Sequence, residues 1–147
     1  MRDVFRNFAC AIVGAMVLLA APAAGAQTIA LKAELSGANH VPPLQVPGKG
    51  NVVATFDSAT KTLKWTITYS GLTGPAFAMH FHGPTDQARN AGIALPITGN
   101  LSSPIDGSAT LSDRFVSDLL AGNWYLNIHT AAHPAGELRG QLLIEAR

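Results

Sequence analysis

The sequence predicts an all-β domain, an antiparallel sandwich or barrel of about eight short strands. Three observations predict it. Apolar residues recur with a period of two rather than that of a helix, the periodic runs are short, and turn-forming residues separate them. A chain of 147 residues has room for one domain of ordinary size, and no repeat or low-complexity linker divides it.

Ile29, Leu31, Ala33 and Leu35 alternate with Ala30, Lys32, Glu34 and Ser36, the pattern of a strand with one face buried. The Pro- and Gly-rich stretch from Val41 to Gly50 reads as a loop. Val52, Ala54 and Phe56 resume the alternation. Asp57-Ser58-Ala59-Thr60 then turns the chain into Leu63, Trp65, Ile67 and Tyr69, which alternate with Thr62, Lys64, Thr66 and Thr68. Those two runs make a hairpin. Further strands are expected at Ala76 to His82, Gly92 to Ile97, Gly107 to Ser112, Asn123 to Thr130 and Glu137 to Glu145. One or two helical turns are expected from Asp113 to Leu120, closed by Gly122.

The first residues read as an export signal. Arg2 and Arg6 precede an uncharged apolar run from Phe8 to Ala21, and Ala24-Gly25-Ala26 offers small residues for cleavage before Gln27. The expected division is a signal peptide over residues 1–26 and a domain over residues 27–147, secreted or periplasmic. The apolar run is shorter than the ~20 residues a membrane span needs, so no membrane association is expected after cleavage. Cys10 leaves with the leader, as do Arg2, Asp3 and Arg6, which gives a domain without cysteine and with balanced charge. A disulfide or a thiolate metal site is thereby excluded from it. Lacking a basic excess, it is not expected to bind nucleic acid or an anionic membrane.

All five histidines lie in the domain. His80 and His82 are two residues apart in an expected strand and share a face, with Phe77, Met79 and Phe81 on the other. The same alternation puts Tyr125, Asn127 and His129 on one face of a later strand and Trp124, Leu126 and Ile128 on the opposite one. If the apolar faces share a core, the three histidines lie outside it. A His-x-His pair in a strand places its Cβ atoms roughly 6–7 Å apart, a separation that can chelate a transition metal. The same side chains also serve as plain hydrogen-bonding groups, and spacing leaves both readings open. His40, on a loop, and His133, in a Pro/Gly turn, are additional candidate ligands. Glu137 and Arg139 share a face of the last strand, where they could pair with each other or support the site from behind, Glu137 by orienting a histidine. No G-x-S-x-G nucleophile motif and no phosphate-binding glycine loop is present.

Four ordered segments carry a family resemblance. They are Leu35 to Pro43 (LSGANHVPP), Met79 to Pro84 (MHFHGP), Tyr125 to Thr130 (YLNIHT) and Pro134 to Gln141 (PAGELRGQ). Together they resemble the CHRD domain, named after chordin and widespread in secreted bacterial proteins, over about Ile29 to Ile144. His80, His82, His129, Glu137 and Arg139 match that family's pattern, whereas His40 stands where the family commonly has glutamate. The resemblance implies a Greek-key sandwich or barrel similar to that of copper/zinc superoxide dismutases, which also set a His-x-His strand and a later strand histidine around copper. Function does not travel with such a likeness of fold.

Three functional expectations follow. The first is a non-catalytic transition-metal module binding copper as Cu(II), with zinc as the alternative, through His80, His82 and His129 with His40 or His133 in support. Met79, the one methionine outside the leader, faces away from the histidines, which disfavours a Cu(I) thioether site. The second is an adhesion or interaction domain that takes an extracytoplasmic protein or polysaccharide on its loops without metal. The third is a superoxide dismutase-like copper enzyme, for which Arg139 would supply a guiding charge.

Overall fold

The computed structural model describes residues 25–146, so the expected signal peptide lies outside the described residues apart from Gly25 and Ala26. The strands are β1 (Thr28–Ser36), β2 (Lys49–Asp57), β3 (Thr62–Ser70), β4 (Ala76–His82), β5 (Ile93–Pro96), β6 (Ile105–Thr110), β7 (Trp124–Thr130) and β8 (Leu138–Ile144). Among the described residues one helix, α1 (Asp113–Leu120), sits between β6 and β7. All pairings are antiparallel, in one sheet of order β5-β4-β7-β8-β1-β2-β3-β6.

The edge strands β5 and β6 are consecutive in sequence, while β7 returns past them to pair with β4, a Greek-key connection. The sheet curls into a half-barrel. Trp65 on β3 meets Phe81 on β4 edge to face, centroids 5.4 Å apart, although four strands separate them in the sheet. Leu31, Ala33 and Leu35 face Val52, Ala54 and Phe56, and these face Leu63, Trp65 and Ile67, so alternation in three successive strands feeds one core. Burying a side chain such as Phe56 or Leu63 stabilises the fold by roughly 1.5–3 kcal/mol.

The turn after β2 is held by Asp57 Oδ1, which accepts from the N–H groups of Ala59 and Thr60. The helix begins where Ser112 caps it by accepting from Phe115 N–H and ends before Gly122, whose φ is +73°. That cap ends β6 earlier than its composition suggested, at Thr110 rather than Ser112.

Two features depart from simple alternation. Phe77 is 58% exposed and faces outward, not inward with Met79 and Phe81, because a bulge between Ala76 and Ala78 turns it over. The outer face of β7 is also buried. The loops after β1, β4 and β7 cover it, so Tyr125, Asn127 and His129 lie between the sheet and a layer of irregular chain.

Candidate metal centre

Strand geometry assembles the site. β4 projects His80 and His82 from its outer face, and β7 runs beside it with Asn127 opposite His80 and His129 opposite Ala78. His129 thus sits diagonally beside His80. The ring centroids are 5.0 Å apart for His80 and His129, 5.5 Å for His80 and His82, and 6.1 Å for His82 and His129. One nitrogen from each ring lies within 4.8 Å of the others.

Hydrogen bonds identify those nitrogens. His82 Nδ1–H donates to the Ala91 carbonyl at 3.0 Å, and His129 Nδ1–H donates to the Pro134 carbonyl at 3.0 Å. Each bond fixes the tautomer and leaves the lone pair on Nε2. His129 Nε2 faces His80 Nδ1 at 3.2 Å. His82 Nε2 is buried and has no hydrogen-bond partner among the described residues. A buried nitrogen lone pair without a donor is unfavourable in a metal-free protein and is what a cation would satisfy. The donor set is therefore three imidazoles, through Nδ1 of His80 and Nε2 of His82 and His129. Turning the His80 tautomer so that Nε2 carries the proton frees its Nδ1 lone pair as well.

Electrostatics point the same way. Burial pushes the pKa of all three rings below its ordinary value, with neighbouring imidazoles adding to the effect, while the Ala91 and Pro134 carbonyls oppose it at His82 and His129. The triad is thus neutral near pH 7, the state that ligates. Such a set could hold a metal ion that accepts imidazole ligands. Tyr125 lines the site from below, its ring stacked on His82 at 4.9 Å and 6°. Phe77 flanks His129 from outside at 6.3 Å.

The other candidates lie elsewhere. Both ring nitrogens of His40 face backbone carbonyls, Pro42 at 3.1 Å and Ala135 at 3.3 Å, which ties its loop to the one after β7. His133 is half-buried in that turn and is not in the cluster. Glu137 neither pairs with Arg139 nor touches a triad ring. Fully buried, its carboxylate accepts from Thr73 N–H at 2.8 Å, Thr73 Oγ1 at 2.7 Å and Thr130 Oγ1 at 2.5 Å. Burial alone would raise its pKa, but the bonds from Thr130 and Thr73 outweigh burial and hold it low. Arg139 is 1% exposed and donates to the carbonyls of Asn39, Asp86, Gln87 and Arg89. Residue types carry no signal for the Ala91 and Pro134 carbonyls, because any residue supplies a carbonyl. Tyr125 was findable, since it shares the face of His129 in the strand alternation.

Fold and site define a small antiparallel β-domain whose histidine cluster could hold a metal ion. The chain belongs to the CHRD domain family, whose model matches residues 31–142. No curated protein and no solved structure matches the chain.

Proposed function

We propose that the domain is an exported, non-catalytic module that binds a transition metal, Cu(II) with Zn(II) as the alternative, on His80, His82 and His129. The observation that carries this reading is the unpartnered Nε2 of His82, buried in a cluster with His80 and His129 in which two carbonyls set the tautomers of His82 and His129. Export to the periplasm or exterior rests on the leader pattern in residues 1–26. The burial of Arg139 removes it as the guiding charge that a superoxide dismutase-like reading would need from it at the mouth of the site.

A second reading, docking of an extracytoplasmic protein or polysaccharide without metal, draws on one feature. A groove of about 820 Å³ lies over the outer side of β1 and β8, walled by Val41 and Pro43 on one loop and Gln87 and Ala88 on another.

Titrating Cu(II) and Zn(II) into the wild-type domain and into His80→Ala and His82→Ala tests the proposal. Saturable binding of one ion per chain by the wild type, weakened at least tenfold in each variant, supports it. Equal affinity in all three removes it.

A further inference from the structure

Arg139 is a buried cation that forms no ion pair among the described residues, and the triad does not touch it. Burying a guanidinium in this way is costly, and an apolar side chain of similar volume can often fill such a place as well. Its contacts show what the charge does instead. Nη1 donates to Gln87 O at 2.8 Å and Asn39 O at 3.3 Å; Nη2 donates to Arg89 O at 2.8 Å and Asp86 O at 3.2 Å. Three of these acceptors belong to the loop between β4 and β5. Near the end of that loop stands Ala91, whose carbonyl accepts a hydrogen bond from His82 Nδ1–H.

A second path runs through Tyr125. Arg139 Cζ lies 3.9 Å from the centroid of the Tyr125 ring, whose other face stacks on His82. The Tyr125 hydroxyl accepts from Ala91 N–H at 3.1 Å, so the same residue supports the imidazole and its carbonyl partner. The guanidinium, the phenol and the imidazole form one continuous stack.

We propose that Arg139 and Tyr125 are positioning residues for the candidate metal centre: they hold the 86–91 loop so that the Ala91 carbonyl keeps the proton of His82 on Nδ1 and its Nε2 lone pair towards the triad. The affinity part of this inference rests on the metal-binding reading; the tautomer part does not. A clamp that merely stabilised the fold would leave the tautomer of His82 untouched once the variant had folded.

The experiment uses ¹⁵N-labelled, metal-free protein at pH 8, where the imidazoles are neutral, and long-range ¹H–¹⁵N correlation to read each ring. The wild type should show His82 as a single tautomer with its proton on Nδ1. In folded Arg139→Lys, which keeps the charge but loses the fork, and in Tyr125→Phe, which keeps the ring but loses the hydroxyl, His82 should become a mixture of tautomers. Cu(II) affinity, measured by chelator competition, should fall ten- to hundredfold. If Arg139→Lys does not fold, the milder Tyr125→Phe decides. A folded variant that keeps His82 wholly in the Nδ1–H form overturns the inference. A wild type that binds no Cu(II), with the tautomer still lost in the variants, would sink the metal reading and leave this one standing.

Discussion

Glu137→Gln separates a structural carboxylate from one that serves the histidines. The side chain keeps its shape, but the three donors now meet a neutral amide. Bonds to a charged acceptor contribute about 1.5–3 kcal/mol each, against about 0.5–1.5 kcal/mol for neutral pairs. Losing about 1 kcal/mol on each of the three gives a destabilisation of about 3 kcal/mol. One orientation of the amide also sets its NH₂ against the Thr73 N–H, and the other sets it against two hydroxyls that must rotate to accept. At about 4 °C per kcal/mol, the expected fall in Tm is about 12 °C. Urea unfolding at pH 7 would read it as a lower midpoint with an unchanged slope. Because Glu137 touches no triad ring, the Cu(II) affinity of the folded variant should stay near the wild-type value. A variant within about 0.5 kcal/mol of wild type, the range of an ordinary surface substitution, would refute the reasoning.

The remaining predictions concern the triad, one glycine and the core. Since burial holds His80, His82 and His129 below their ordinary value of 6.5, the unfolded chain takes up protons that the folded one refuses as pH falls past that value. Metal-free stability should therefore show no dependence on these groups above about pH 6.5 and should decline below it, and urea midpoints across pH 4–8 would check the sign. Gly136 has φ +126°, and a Cβ there would run into the Asn127 side chain, so Gly136→Ala should cost about 1–3 kcal/mol in backbone strain alone, measurable by thermal unfolding. Phe81→Ala empties the contact that joins the two ends of the sheet and should cost about 3–5 kcal/mol by the same assay.

Much of the fold was legible because its strands obey one local rule. Leu63, Trp65 and Ile67 alternate with threonines and lysine, and the period alone places them in the core. The helix could be read from Ser112 and Gly122, since caps are local chemistry. The triad was legible for the same reason: His80, His82 and His129 sit on strand faces whose direction the period fixes. Phe77 was not legible, because a bulge is a mismatch between two strands and neither strand records it alone. Nor could the burial of Tyr125 and Arg139 be read, since it depends on loops that fold back over the outer face. Glu137 and Arg139 share a face by spacing, yet Glu137 bonds to Thr73 and Thr130 and Arg139 to the carbonyls of Asn39, Asp86, Gln87 and Arg89.

Three imidazoles, those of His80, His82 and His129, should converge on one ion. A crystal structure of the domain soaked in Cu(II), with anomalous scattering at the copper edge, tests this most directly. The expected result is one ion about 2.0 Å from His80 Nδ1, His82 Nε2 and His129 Nε2, with the Ala91 and Pro134 carbonyl bonds intact. Copper bound at other residues, with His80 and His129 still hydrogen-bonded to each other, would contradict it.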